Sequence, residues 1–207
     1  MSAPSVRLVL VRHAEHDISI DDGPLTALGL EQATALGEAL RVGASDALFA
    51  SPLLRARATA SLIRDDYETV AGLEEFRFGP AAPRSDELIA ERADLALWRA
   101  THRFPGGETL AGFQGRVADT LDSLATTRRG PVIVAVTHSG FIDAALRWAY
   151  GLDPDDDWMT EVELPNASVT EIEHWRDGRH SRGAPRFNLV RRVGDVSHLP
   201  PELVTEI

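Results

Sequence analysis

Residues 6–13 read Val-Arg-Leu-Val-Leu-Val-Arg-His, a short and nearly all apolar run that ends in two polar side chains. The run Val6–Val11 is rich in β-branched residues and too short for a typical helix, so it predicts a central strand covered on both faces. A second apolar run, Pro131–Thr137, ends in the same way, in His138-Ser139-Gly140. The sequence therefore predicts two buried strands with a histidine at the same end of each.

Helical and strand patterns alternate along the rest of the chain. Thr26 can cap a helix that runs to Gly43, and Ser51 with Pro52 can open another that runs to about Arg64. The sequence predicts further helices at 86–100, over Glu108–Thr127 and from His138 to about Tyr150. It predicts further strands over Asp46–Ala50, Ser168–Trp175 and Arg186–Val193. This alternation predicts a single α/β domain over residues 1–207, in three layers, with a mainly parallel central sheet and helices on both faces.

Composition excludes several classes of function. The chain has 207 residues, 32 acidic against 21 basic side chains, a net charge of -11 and no cysteine. Without thiols it can form no disulfide, no cysteine-ligated metal centre and no cysteine nucleophile. The acidic surplus argues against binding to nucleic acid or anionic membranes, and no run approaches the roughly 20 apolar residues that span a bilayer. We therefore expect a cytoplasmic protein with neither partner.

The ends of the two strands indicate where the chemistry lies. In an open α/β sheet, ligands bind outside the carboxyl ends of the strands. Arg12, His13 and His138 follow the two predicted strands directly. A single strand-terminal histidine is most often bonded to backbone, but two in equivalent positions favour a shared site.

Six segments extend this pattern in order along the chain. They are Leu10–Glu15, Pro24–Gly29, Ser51–Ala60, Leu73–Gly79, Gly107–Thr109 and Val136–Gly140. Together they resemble the histidine phosphatase superfamily, which includes the cofactor-dependent phosphoglycerate mutases. The resemblance covers about residues 6–175 and fades over 76–107, where a rebuilt lid would determine substrate specificity.

The resemblance implies roles that suit the chemistry of these residues. His13 would be the nucleophile, which needs a neutral ring nitrogen and a bond that fixes its tautomer. Arg12 and Arg55 would bind the phosphate, since a guanidinium offers a planar fork to two oxygens. His138 would be a second phosphate ligand, expected as a cation, and Glu75 the general acid. Glu75 is preferred to Glu74, which would point the opposite way in an extended chain.

Other residues are weaker candidates. Ser139 begins a helix whose free N–H groups favour anions. Ser19 stands where many members of the family have a phosphate-contacting Asn, and His16 stands where Thr or Ser is usual; His16 is otherwise a solvent-facing loop residue. Ala14 replaces the usual glycine, so the backbone there must tolerate a Cβ. Arg84 could recognise substrate charge or lie on a solvated helix face.

The predicted function is hydrolysis of a small phosphomonoester, a phosphorylated metabolite, through a phosphohistidine on His13, with no metal and no cofactor. The alternative within the family is a phosphoglycerate mutase-type phosphotransferase. Hydrolysis is favoured because the loop from Glu15 to Pro24 lacks the longer Arg- and Trp-containing segment of the mutases. Two other readings are a metal site at His13, Glu15 and His16, and a phospho-ligand-binding protein without turnover. Nearby arginines would repel a metal cation, and binding alone needs no nucleophile.

Overall fold

The computed structural model describes residues 5–43, 46–80, 106–126, 130–153, 162–175 and 187–205. The predicted helix at 86–100, Arg84 and most of the predicted lid lie outside the described residues.

A six-stranded sheet forms the centre of the described structure. Its strands are β1 (Ser5–Arg12), β2 (Ala47–Ala50), β3 (Glu68–Thr69), β4 (Val132–Thr137), β5 (Val169–Trp175) and β6 (Phe187–Asp195). The strand order is β3-β2-β4-β1-β5-β6. The first four strands in this order are parallel, whereas β5 pairs antiparallel with both β1 and β6. The predicted α/β class with a mainly parallel sheet is confirmed.

Helices cover both faces of this sheet. They are α1 (Ala27–Leu40), α2 (Leu54–Ile63), α3 (Leu110–Thr126) and α4 (Ser139–Tyr150), with short 3-10 helices at Ala71–Leu73 and Pro201–Leu203. Alternate residues of β1 enter two separate cores. Leu8 and Leu10 pack in the core that contains α3 and α4, and Val9 and Val11 in the core that contains α1 and α2. The alternation of side chains along a strand thus produces the three predicted layers.

The start of α2 differs from the prediction. The helix begins at Leu54, and its cap residue Leu53 makes no side-chain capping bond. The hydroxyl expected to cap it, that of Ser51, lies 2.8 Å from the ring of His138. Both carboxylate oxygens of Asp22 accept from the Leu54 N–H instead, at 2.7 and 2.8 Å. By contrast, Thr26 caps α1 as predicted, since its hydroxyl accepts from the Gly29 N–H.

For the segment after Gly194 the sequence alone predicts a surface extension, and the structure instead packs it against α1. Leu199 is buried in the core that contains α1 and α2. The side chain of Gln32 on α1 donates to the carbonyl of Leu203 at 2.8 Å. This segment therefore completes the packing of α1.

The pairing of β1 with β4 determines where the site lies. Arg12 is the register partner of Thr137, so the residues that follow, His13 and His138, leave the sheet side by side. The N–H of His13 donates to the Thr137 carbonyl at 2.9 Å. No described helix is long and apolar enough to cross a membrane.

Candidate active site

The ring of His13 is held in one tautomer by its own chain. Nδ1–H donates to the carbonyl of Ala14 at 2.8 Å, which leaves Nε2 as the nitrogen with the lone pair. Nε2 accepts a hydrogen bond of 3.2 Å from Nε of Arg55. Burial lowers the pKa of His13 well below its ordinary value, and so do the neighbouring His138 ring, which competes for a proton, and the positive charges of Arg55 and Arg12. His13 therefore presents a neutral, nucleophilic nitrogen.

The backbone around His13 is anchored on three sides. Its carbonyl accepts from the side-chain amide of Asn166 at 3.1 Å and from the N–H of Ala167 at 3.2 Å. The N–H of Ala14 donates to the hydroxyl of Thr59 at 3.0 Å. Ala14 is fully buried and is not among the described residues with positive φ, so the Cβ that replaces the family's glycine causes no backbone strain.

Two guanidinium groups lie near the ring, that of Arg12, which is buried, and that of Arg55, which is half-buried. Arg12 donates through Nη1 to the carbonyl of Leu164, and its buried Nε has no hydrogen-bond partner within the described part of the chain. Burial lowers the pKa of Arg12 to about 10, and it also lowers that of Arg55. Both groups stay charged at neutral pH. Two cations beside a nucleophilic nitrogen suit a phosphate group.

Asp22 orients Arg55. Its carboxylate lies 3.3 Å from Nη1 of Arg55 while it caps α2 through the N–H of Leu54. Asp22 has a φ of 53°, a left-handed conformation that Asp tolerates better than most residues. One side chain therefore fixes both the helix that carries Arg55 and the direction of its guanidinium.

His138 lies beside His13, with ring centroids 5.1 Å apart. Its Nε2 is 2.8 Å from the Ser51 hydroxyl, and its buried Nδ1 has no hydrogen-bond partner among the described residues. We expected a cation here. Burial and then the charge of Arg55 lower the pKa of His138 to about 3, against the opposing effect of Glu75, so the ring is neutral at neutral pH. Desolvation outweighs the nearby carboxylate.

The structure separates the two neighbouring glutamates. The Glu75 carboxylate accepts from the N–H of Gly140 at 3.0 Å, in the first turn of α4, and from the N–H of Phe76 at 2.8 Å. The Glu74 carboxylate instead accepts from Nε of Arg77 at 2.7 Å. Glu75 is thus held at the helix end that follows His138.

The weaker candidates occupy different positions. The ring of His16 meets that of His13 edge-on, with centroids 4.9 Å apart, so the solvent-facing alternative is wrong. Burial, with Arg55 and Arg12, lowers the pKa of His16 to about 4. Ser139 is half-buried beside His138 at the start of α4. Ser19 is exposed, and its hydroxyl and N–H both donate to Asp17, so its role as a phosphate ligand stays a prediction.

Glu15 connects the chain after His13 to α1 through hydrogen bonds. Its carboxylate accepts from the Thr26 hydroxyl at 2.7 Å, and its N–H donates to Gln32 at 2.8 Å. This carboxylate therefore faces the start of α1. Within the described ranges, no group of three or more His, Asp or Glu side chains is arranged to hold a metal ion.

Sequence reasoning missed the residues that support this cluster. Ser51 supports the His138 ring, Asp22 the Arg55 guanidinium, and Asn166 the His13 carbonyl. Ser51 was interpreted as a cap because Ser-Pro is typical of a helix start. Asp22 lies in a polar, glycine-containing loop, where an acidic residue carries no distinctive signal. Asn166 precedes a strand, in a turn that no spacing rule connects to residue 13.

Comparisons with known proteins agree with this geometry. A family model described as the histidine phosphatase superfamily (branch 1) matches residues 8–184. The chain is 27% identical over 219 residues to a probable phosphoglycerate mutase, GpmB, of Salmonella paratyphi C, an alignment that covers 98% of this chain and 99% of that protein.

Solved structures show the same fold. A mycobacterial glucosyl-3-phosphoglycerate phosphatase is similar with a TM-score of 0.71 and 22% identity, covering 92% of this chain and 99% of that one. A putative alpha-ribazole-5'-P phosphatase from Escherichia coli K-12 is similar with a TM-score of 0.69 and 25% identity, covering 92% and 96%. With a phosphate-suited cluster at the strand ends and a family match over most of the chain, this protein belongs to the histidine phosphatase superfamily.

Proposed function

We propose that this protein is a phosphatase that hydrolyses a small phosphomonoester through a phosphohistidine on His13. The observation that carries the proposal is the state of the His13 ring. Its Nδ1–H is bound to the Ala14 carbonyl, its Nε2 keeps the lone pair, and Arg12 and Arg55 lie beside it as charged phosphate ligands. Superfamily membership and the phosphatase names of several structural neighbours support the same reaction class.

In the first step, Nε2 of His13 attacks phosphorus and the bond to the ester oxygen breaks. The charge on the three equatorial oxygens is stabilised by Arg12, Arg55 and the N–H of Ser139 in the first turn of α4, because the N–H of Gly140 is bound to Glu75. The Ser51 hydroxyl lies 2.8 Å from Nε2 of His138, and when it donates to that nitrogen, Nδ1 carries the proton and can donate to a phosphate oxygen. Glu75 transfers a proton to the leaving alkoxide, which departs as an alcohol.

In the second step, water attacks the phosphohistidine. The Glu75 carboxylate left by the first step accepts a proton from this water, the N–P bond breaks, and inorganic phosphate leaves. His13 returns to its starting tautomer because its Nδ1–H stays on the Ala14 carbonyl throughout. The cycle needs neither a metal ion nor a cofactor. His16, at the edge of the His13 ring, is a further ligand for the phosphate.

A mutase-type phosphotransferase is the second candidate, because curated relatives at 26–27% identity over the whole chain are named probable phosphoglycerate mutases. Such an enzyme returns the phosphoryl group to a second hydroxyl instead of water. The loop 15–24 contains no arginine or lysine to hold a second charged group, which favours hydrolysis. Release of inorganic phosphate from a phosphoglycerate, without isomerisation, is the expected outcome, and isomerisation in excess of release would establish the mutase.

The decisive experiment traps the phosphoenzyme. Rapid quench with an aryl phosphate should yield an acid-labile, base-stable phosphoprotein, and His13→Ala should abolish both this species and turnover. His174→Ala is the matched control, since His174 is also a buried histidine but lies at the other end of the sheet, opposite Val6. Hydrolysis that survives His13→Ala would overturn the mechanism.

A further inference from the structure

Glu75 lies in a stretch of chain without regular secondary structure. The short 3-10 helix ends at Leu73, and residues 74–79 form neither helix nor strand. A general acid must be held within a few tenths of an ångström of its working position, because a misplacement of about 1 Å can cost on the order of a hundredfold in rate. The contacts that fix this stretch are therefore part of the catalytic geometry.

One guanidinium holds three carbonyls of this stretch. Arg116, from the middle of α3, donates through Nη1 to the carbonyls of Gly72 at 2.7 Å and Glu74 at 2.9 Å. Its Nη2 donates to the carbonyl of Glu75 itself at 3.2 Å. The carbonyl between them, that of Leu73, accepts from the hydroxyl of Thr137 at 2.7 Å. Four successive carbonyls are thus each bound by a side chain.

The other side of the Arg116 guanidinium is held by Glu108. Nε and Nη2 donate to the two carboxylate oxygens at 2.7 and 2.8 Å, a bidentate pair. Glu108 also pairs with the backbone of Arg77, accepting from its N–H at 3.0 Å and donating to its carbonyl at 2.8 Å. Burial would raise the pKa of Glu108, but the bonds from Arg116 and Arg77 outweigh it and lower that pKa. The ion pair between Arg116 and Glu108 is therefore hydrogen-bonded to the backbone on both sides of Glu75.

Arg116 lies against the backbone around Glu75. Its charge is neutralised by Glu108, and its other hydrogen bonds in the described part of the chain end on backbone carbonyls. We infer that Arg116, locked by Glu108, is a positioning residue that fixes Glu75 for proton transfer to the leaving group. This inference rests on the proposed role of Glu75 as general acid.

The test is the leaving-group dependence of the reaction. A poor alkoxide leaving group, as in glycerol phosphate, needs the acid, whereas 4-nitrophenolate leaves without it. Because Glu75 also accepts a proton from water in the second step, which both esters share, the quantity to measure is the single-turnover rate of phosphoenzyme formation. Glu75→Gln should lower this rate for the alkyl ester by about a hundredfold or more and leave that for the aryl ester within a few-fold. Arg116→Met should give the same selectivity at a smaller scale, on the order of tenfold in the rate of phosphoenzyme formation from the alkyl ester, with the rate from the aryl ester retained and KM nearly unchanged.

Three further variants separate positioning from folding. Arg64→Met is the matched control, because Arg64 is also half-buried and donates to the carbonyls of Gly43 and Asp46, on the far side of α2 from the site. It should cause no leaving-group selectivity. If Arg116→Met fails to fold, Glu108→Gln carries the test, with a smaller selectivity in the same direction. Arg116→Lys should recover part of the lost rate.

The outcomes distinguish the two proposals. Equal slowing of both esters by Glu75→Gln would remove Glu75 as the acid and with it the inference about Arg116. Selectivity in Glu75→Gln without selectivity in Arg116→Met or Glu108→Gln would leave the acid in place and overturn the positioning role alone. Selectivity in all three, absent in Arg64→Met, would support it.

Discussion

At the scale of single residues, the site depends on which side chain caps α2. Asp22 caps α2 and holds the Arg55 guanidinium, and Ser51 leaves its expected capping role to hold the His138 ring. A carboxylate at a helix N-terminus is favoured by the helix dipole, so Asp22 can replace the serine cap at no loss. Ser51 is thereby free to face the catalytic cluster.

Removing the Asp22 carboxylate should weaken catalysis through Arg55. Asp22→Gly permits the φ of 53° and removes the carboxylate, so the guanidinium loses its orienting partner. We expect kcat/KM on an aryl phosphate to fall by about tenfold, equivalent to about 1.4 kcal/mol of transition-state stabilisation. Asp22→Asn keeps an oxygen for the Leu54 N–H and should retain most of the activity. Full activity in Asp22→Gly would show that Arg55 is oriented without it.

The sequence predicts those site residues whose role is marked by the residues next to them in the chain. Arg12, His13 and His138 follow apolar runs directly, and a strand end in an α/β sheet is a recognised position for ligands. Asn166 reaches His13 across 153 positions of sequence, through a turn that contains Ala167 in a left-handed conformation. No pattern in one sequence encodes such a contact. The sequence also could not predict the protonation state of His138, because that state depends on the burial of the ring in the folded protein.

At the scale of elements, two glycines let α1 approach its neighbours closely. A Cβ at Gly29 would lie 1.9 Å from the carbonyl oxygen of Glu15, in the segment that follows His13. A Cβ at Gly37 would lie 2.3 Å from the carbonyl oxygen of Leu62 in α2. The backbone of α1 therefore contacts the backbone of its neighbours directly. The chain that follows His13 packs against the first turn of α1.

Gly29→Ala should consequently destabilise the protein. The added methyl group meets backbone that cannot rotate away, and overpacking of this kind costs about 1–3 kcal/mol. Gly115→Ala is the matched control, since Gly115 lies within α3 and a Cβ there has nothing within 4 Å. It should stabilise by up to about 1 kcal/mol, the helix propensity of alanine over glycine. Urea unfolding of both variants measures the difference, and equal stabilities would contradict the close approach.

The elements themselves were largely predictable, and their pairing was not. The apolar runs of β1, β2 and β4 and the periodicity of α1, α3 and α4 agree with the structure to within a few residues. The two-residue strand β3 is exposed and too short to leave a pattern. That β5 alone runs antiparallel to the other described strands, between β1 and β6, depends on the connections between elements, which local periodicity does not encode.

At the scale of the whole molecule, an acidic chain places two arginines together where a phosphate would bind in the proposed reaction. The net charge is -11, yet the buried Arg12 and the half-buried Arg55 lie beside three neutral histidines. Such a cluster can bind a small anion, whereas the net negative charge of the chain disfavours a long polyanion. The histidines are neutral because the folded state suppresses their protonation, so folding and pH are linked.

Stability should therefore fall as the solution is acidified. The pKa of His138 is about 3 in the folded state against an ordinary 6.5, so below pH 6.5 the unfolded chain binds a proton that the native protein does not. The unfolding free energy then decreases with falling pH until the folded-state pKa is reached. Replacing His138 by Gln should reduce the slope between about pH 5.5 and 4.5 by about 1.4 kcal/mol per pH unit. Urea unfolding at several pH values measures it, and an unchanged slope would contradict a neutral, buried His138.

The register of β1 on β4 has a consequence for how the protein acquires its site. Arg12 lies opposite Thr137, although β2, β3 and most of the helices lie between them in the chain. Parallel pairings over such separations require the closure of a long loop and are formed late and slowly. A nascent or partly folded chain thus contains both histidines without holding them side by side. The proposed phosphate site exists only when the central sheet is complete.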